Sequence, residues 1–546
     1  EIVKNKFTRS LKTDDVFQDA FTNNAYLIVQ TPKGPGDASV SLDLADFLQS
    51  KAPTMLFTSE IALAKDPYFV LGRNLDESWR LYPDNLGTFA VATILDDTDS
   101  AAADGPKRFK KLLQDSTFTG GNGAVAMPSR LYAKPTEDEP RAGIRISIDD
   151  NVHPGGVITG LGSRAYAELY GTQPKMAEFV QLLIDKGAIV VEKTNHSGFA
   201  GSEIPPTQCI DYFPPWNPRG DRYQGPSGSS SGAGASAAGY DWLDISFATD
   251  SSVRYPATSH GLWGQRVTWG SLPIEGVVPA CPQYDIFGLS ARTPTIIINR
   301  VLAVGGIVPS PAHWPTKMLY STEWFAIANK EQQQMDMEFL RVLENYFGLK
   351  HTKFSLENEW RRTGPEHLRK RTVADIEKLS RAVNRYENYH VFDDFRSEYR
   401  KTFGKSPYLS PSRAERWQEG AAITVESFNK GERIVNEFRE WSPSQLFVGE
   451  SEDSSAIMLV PHGRPGANYR DGGAPTEAPK EATGPLNQAL PPRVPGSVFA
   501  TSMVGAPRLV VPCTSHRFPL KLIAEGALEK AGWPPRRSKR VDSCLA

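Results

Sequence analysis

The sequence predicts an α/β protein, a sheet covered by helices, with a small α+β appendage ahead of it. Two observations carry that prediction. From about residue 126 onward strand-like and helix-like patterns alternate, which is the mark of strand–helix–strand units. Before that point, strand-like and polar stretches mix without a helical rhythm. The expected division is an appendage at 1–125 and a catalytic domain at 126–546, as 546 residues suit two units or one large core with an addition.

In the first region, Ala25–Val29 and Thr88–Ala92 read as strands. Asp96–Gly105 and Gly120–Gly123 read as loops. In the second, Ile144, Ile146 and Ile148 alternate with polar residues, as in a strand. Pro174 opens a helix whose apolar face is Met176, Phe179, Val180 and Leu183, and Gly187 closes it. Ala188–Val191 then reads as a buried strand. Ile457–Val460 and Leu509–Val511 also read as core strands, each stopped by a proline. Between them, the charged and aromatic segment 313–445 carries Met335, Phe339, Leu343 and Tyr346 at helical spacing, more a packing stripe than a groove. Residues 463–496, rich in Gly and Pro, read as a loop.

Bulk properties exclude several functions. A net charge of −2 argues against a nucleic-acid binder. No run of about 18 apolar residues suggests a membrane span. Cys209, Cys281, Cys513 and Cys544 are far apart and lack metal-ligand spacing, so no zinc site and no disulfide framework is expected. No other metal or cofactor is called for. Asn195-His196-Ser197 is a glycosylation sequon read as a chance match, and the compartment is left open with a lean to the cytoplasm.

The chemistry concentrates in Gly225–Pro256. A run of Gly and Ser, Ser227-Gly228-Ser229-Ser230-Ser231-Gly232, passes into Ala235–Ala238. Composition alone would allow a flexible linker. A Gly/Ser loop before a helix instead gathers N–H groups and hydroxyls at the positive end of the helix dipole. A phosphate loop would end in Lys-Ser/Thr, which is missing here. Thr249-Asp250-Ser251-Ser252-Val253-Arg254-Tyr255-Pro256-Ala257 follows.

These two motifs, with Gly261–Gly264, Asp285–Thr293 and the upstream Gly187–Asn195, resemble the amidase-signature family over roughly residues 126–520, and most closely a fungal branch of it that carries an extra N-terminal domain. The resemblance implies a mixed central sheet covered by helices. It also implies a Ser–Ser–Lys set: Ser252 as nucleophile, Ser230 as the bridging serine on a cis peptide, and Lys193 as base. Such a lysine must be neutral, which burial can bring about. Thr249, Asp250 and Ser251 would form the oxyanion loop, with Ser229 and Arg254 supporting the site. Only Ser251 separates Asp250 from Ser252, where the family usually has three residues, so Ser251 stands as an alternative nucleophile. Read without the resemblance, Lys193 is a surface lysine at a strand end, Ser252 a helix N-cap and Asp250–Arg254 an ion pair.

The expected substrate is a small acyl amide, ester or carbamate, with 313–445 and the Asp211–Trp216 loop shaping its pocket. Two other functions stay open: a catalytically impaired binding protein on the same fold, and an amide-forming acyltransferase using the same acyl-enzyme. A homodimer is left open too.

Overall fold

The structure is a computed structural model. It describes residues 9–12, 14–18, 26–30, 54–58, 68–71, 74–95, 109–111, 123–203, 206–249, 251–294, 315–325, 330–442, 446, 455–461, 469–471 and 497–512. The loop expected at 96–105, most of the 463–496 loop, Asp250 and everything after Pro512 lie outside these residues.

An eight-stranded mixed sheet organises the molecule. Its strands are β1 (Phe89–Leu95), β2 (Phe109–Lys111), β3 (Arg145–Asp149), β4 (Ile189–Thr194), β5 (Ile245–Thr249), β6 (Trp263–Arg266), β7 (Phe287–Ala291) and β8 (Arg508–Val510). They lie in the order β8-β6-β7-β5-β3-β4-β1-β2. At its centre β3 runs parallel to both β4 and β5, while the other neighbours are antiparallel. Parallel neighbours need a crossover, and helices supply it. Helices α1 (Arg164–Tyr170) and α2 (Glu178–Asp185) connect β3 to β4, and α3 (Ser231–Gly239) lies between β4 and β5.

All five residues of β3 are buried. Ile146 and Ile148 join the main core with Phe179, Val180, Leu183 and Phe247, as the alternation predicts. The other face is polar: the Arg145 guanidinium meets the Asp15 carboxylate through its two terminal nitrogens, and the Ser147 and Ser246 hydroxyls lie 2.8 Å apart. Helix α3 covers this region with small residues only. At Gly232 a Cβ would come within 2.3 Å of the Thr88 carbonyl oxygen and 2.5 Å of the Asn195 nitrogen, so nothing larger fits.

The strand expected at Thr88–Ala92 is β1, and with β2 it continues the central sheet beside β4. The sheet therefore draws strands from both sides of the expected boundary at 125. The strand expected at 457–460 also exists, as Ser455–Leu459, in a second sheet of three parallel strands with Pro315–Ser321 and His351–Phe354.

Beside that second sheet lies the segment expected to be helical. It holds α4 (Lys330–Phe347), α5 (Leu356–Thr363), α6 (Val373–His390), α7 (Asp393–Phe403), α8 (Pro411–Ala421) and α9 (Val425–Ser442). Trp360, Phe438 and Trp441 pack ring against ring at the heart of this second core, with Trp360 edge-on to both others. On α4 the buried positions are Leu340, Glu344 and Phe347, whereas Met335 and Phe339 are only half-buried. The face is turned from the expected stripe because Glu344 belongs to it: its carboxylate accepts from the His351 N–H and faces His351 Nδ1 at 3.0 Å. A stripe read from apolar residues alone omits such a carboxylate.

Candidate active site

The serine loop, the start of a helix and two strand ends converge at one place, the C-terminal ends of the parallel strands β3, β4 and β5. The crevice beyond such strand ends is where open α/β sheets usually bind ligands. Helix α10 (Ser251–His260) begins almost directly after β5. Ser252 therefore sits in the first turn, where helix N–H groups lack intrahelical partners.

Ser252 Oγ lies 2.6 Å from Ser229 Oγ. Ser229 is fully buried and Ser252 half-buried, so the pair has a wet end and a dry end. The serine in contact with Ser252 is thus the one just before Ser230, the residue expected to bridge. The hydroxyl of Ser230 donates instead to Asp149 Oδ2, and the non-proline cis peptide is Gly228–Ser229. Three successive serines look alike in sequence, but the chain turns into α3 at Ser231 and sends the side chains of Ser229 and Ser230 to different partners.

The expected lysine is buried, but it does not join the serines. Lys193 Nζ donates to Thr159 Oγ1 at 2.9 Å, to the Ile158 carbonyl at 3.1 Å and to the Asp150 carbonyl at 3.4 Å. Its counter-charge is Asp150 Oδ1 at 3.2 Å. Burial lowers its pKa, and the Asp150 and Asp149 carboxylates oppose that shift. Asp150 is held further by the N–H groups of Gly160 and Gly162, both at 3.0 Å. Lys193 is thus a cross-link between β4 and the loop after β3. It is not the surface lysine of the simpler reading, and among the described residues it is not a partner of Ser229, Ser230 or Ser252.

What Ser229 does meet is His196. Their Oγ and Nε2 atoms are 3.3 Å apart, and the same Nε2 lies 3.6 Å from Asp149 Oδ2. His196 is buried, and its Nδ1 has no hydrogen-bond partner among the described residues. Asp149 is fully buried. Its Oδ1 accepts from Thr194 Oγ1 at 3.1 Å. Burial raises its pKa, against lowering by His196, Ser230 and Thr194. Neither Asp149 nor His196 was among the residues expected at the site. The signals were present: two consecutive acids closing a buried strand, and a histidine three residues past a buried strand-end lysine.

The other expected residues fall nearby. Thr249 ends β5 and accepts from Asn151 Nδ2 at 3.4 Å. Ser251 opens the helix. Arg254 is fully buried and donates to Ser502 Oγ at 2.8 Å. The sequon asparagine is closed to a glycan: Asn195 is buried and its amide donates to the Gly87 carbonyl at 2.7 Å.

A shallow depression with room for little more than a water molecule lies next door, lined by Gly162, Phe199, Glu203, Tyr212, Ser410 and Arg413 among others. It is tied to the serines through Ser197, whose N–H donates to the Ser229 carbonyl and whose hydroxyl meets Tyr212 OH at 3.0 Å. Its lining comes from residues 162–163 and 198–203, from the 211-region loop and from the start of α8. Among the described residues no helix is long and apolar enough to cross a membrane, and no three His, Cys, Asp or Glu side chains are grouped as metal ligands.

Residues 121–302 match the family model described as Amidase. Over 175 residues the chain is 33% identical to a glutamyl-tRNA(Gln) amidotransferase subunit of Deinococcus deserti, covering 32% of this chain and 35% of that protein. The corresponding mitochondrial protein of Ixodes scapularis is 33% identical over 201 residues, 33% of this chain and 38% of the other. The chain thus spans little more than a third of these curated relatives. Among solved structures it is similar to one described as an amidase, with a TM-score of 0.54 and 18% identity over 72% of this chain and 85% of the other. The native peptide amidase of Stenotrophomonas maltophilia gives a TM-score of 0.51 at 17% identity, over 73% and 85%. These likenesses establish the fold.

Proposed function

We propose, from the match of residues 121–302 to the Amidase family model, that this protein hydrolyses an amide bond of a small acyl substrate through an acyl-enzyme on Ser252. The observation that carries the reading is the 2.6 Å contact between Ser252 Oγ, at a helix start and partly open to solvent, and the buried Ser229 Oγ. A serine hydroxyl near neutral pH needs a group to take its proton, and a second hydroxyl at this distance can pass it on. The first-turn N–H groups around Ser252 would face the oxyanion, a donor type worth about 3–4 kcal/mol each where geometry is right. Amide nitrogen chemistry is the common thread in the names of the relatives, which supports a carboxamide over an ester or carbamate.

A fluorophosphonate probe tests this. The wild-type protein should be labelled, and Ser252→Ala should lose the label while keeping its fold. A folded wild type that takes no label would favour the second reading, an impaired amidase-fold binding protein. The observation on that side is that Lys193 is occupied by Asp150 rather than by a serine. An added amine that diverts acid product into amide would mark acyl transfer instead.

A further inference from the structure

We propose that Glu203 and Tyr212 are positioning residues for the serines: together they brace the backbone of Ser229 against helix α8 of the 313–445 segment. This rests on Ser252 being the acylated residue, with Ser229 in contact with it. The brace is a chain of polar groups. The Ser410 hydroxyl, at the start of α8, donates to Glu203 Oε1 at 3.0 Å. Tyr212 OH lies 3.3 Å from Glu203 Oε2 and 3.0 Å from Ser197 Oγ. The Ser197 N–H then donates to the Ser229 carbonyl at 2.8 Å. Glu203, Ser197 and Ser410 are all buried. Water therefore competes little for these bonds, and a buried polar chain whose members are all paired holds its parts rigidly.

Two close approaches press the same elements together. A Cβ on Gly201 would come within 1.9 Å of Arg413 Nη2, so α8 meets the 197–203 turn with no room for a side chain between them. A Cβ on Gly228 would lie 3.0 Å from Ser197 Oγ, so the serine run is packed as tightly on the other side of Ser197. Ser229 cannot shift without moving Ser197, and Ser197 is held by Tyr212. Neither Glu203 nor Tyr212 is hydrogen-bonded to the hydroxyl of Ser229 or Ser252 among the described residues, so their effect passes through Ser197.

The hydroxyl and thiol of the brace stay protonated at neutral pH. Burial first, and then the Glu203 carboxylate, hold the Tyr212 phenol well above its usual pKa. Burial pushes the Cys209 thiol, 3.0 Å from that phenol, up to about 12. The brace thus acts through geometry, and reacting groups are sensitive to small misplacements.

The test measures fluorophosphonate labelling of the full chain over a series of probe concentrations, which separates the maximal rate from the half-saturating concentration. Folding of each variant is checked by circular dichroism and thermal melting. Tyr212→Phe keeps the ring and removes the link to Ser197. Its maximal rate should fall about 10-fold, short of the ~100-fold that a 1 Å misplacement can cost, with the half-saturating concentration within about twofold of wild type. The dependence of that rate on pH should keep its wild-type shape. Glu203→Gln, which keeps the size and one acceptor, should give a smaller fall of the same kind. The double variant should be no slower than Tyr212→Phe, since both changes cut one connection. A merely structural role would lower the melting temperature or the amount of labelled protein and leave the maximal rate unchanged. Tyr212→Phe labelling at the wild-type rate overturns the brace while Ser252 stands. A raised half-saturating concentration with an unchanged maximal rate overturns it too, making Tyr212 a contact to the probe. Should Tyr212→Phe not fold, a wild-type rate in Glu203→Gln overturns the brace by itself. A wild type that never labels removes the hydrolase reading, and the brace with it.

Discussion

Asp149 and Asp150 are neighbours in the chain and opposites in the structure. Asp150 has an amine for a partner: Lys193 Nζ sits 3.2 Å away, and two backbone N–H groups cradle the same carboxylate. Asp149 has hydroxyls and an imidazole, none of them a permanent charge. Because successive residues at a strand end point to opposite sides, one carboxylate joins a fixed ion pair and the other faces the serines. The buried lysine therefore lies on one side of the strand end, and the acid nearest the serines on the other.

This contrast breaks most visibly at Lys193. Replacing it with Met would leave Asp150 buried without its cation, and a broken buried pair costs about 3–5 kcal/mol. Thermal and urea melts at pH 7 should show that loss. A Met variant of wild-type stability would mean that the two carboxylates do not differ as described.

Acid sharpens it next. His153 lies on the Lys193 side, with Nδ1 2.9 Å from Thr159 Oγ1. Burial first, and then the Lys193 ammonium, push its pKa down from 6.5 to about 4. Between those values the unfolded chain binds the proton and the fold does not, so stability falls as pH drops from 6.5 and the loss is complete below about 4. The partly exposed ring should cost on the order of 2 kcal/mol. Asp149 has the opposite sign: its raised pKa means that acid relieves the fold of a buried charge. Urea titrations of wild type and His153→Gln across pH 7 to 4 should therefore show a shallower decline in the variant. Parallel declines would remove His153 as the cause.

The smallest effect belongs to Ser230. Ser230→Ala removes one hydroxyl from Asp149, a change of about 1–2 kcal/mol for a bond to a charged acceptor, and fluorophosphonate labelling should persist. Loss of labelling here would return Ser230 to the bridging position that the sequence suggested.

Much of this architecture could be read from residues alone. The alternation of Ile144, Ile146 and Ile148, the helix ending at Gly187 and the apolar run after it gave β3, α2 and β4 because each has a clear period and a stop signal. Ser252 was legible as a hydroxyl at a helix start. Which serine of the run would touch it was not, since adjacent serines differ only in how the backbone turns them. Lys193 was legible as important, but a lysine at the end of a buried strand fits a proton acceptor and an ion pair equally well until its partner is known. Asp149 and His196 escaped because they meet across 47 residues of sequence, and nothing local to either reports the other. The second sheet was missed for the same reason: Ser455–Leu459 has an ordinary strand pattern, and only its pairing with Pro315–Ser321 separates it from the main core.

The placement of β1 beside β4 bears on how this chain can be divided. A fragment beginning near residue 126 would strip the hydrogen-bonding neighbour from Ile189–Thr194, the strand that carries Lys193. It would also remove the Gly87 carbonyl that receives the Asn195 amide. A bare, apolar sheet margin of that kind invites self-association. The early residues are therefore part of the wall behind the serines, and the smallest unit able to hold the site together must begin upstream of Phe89.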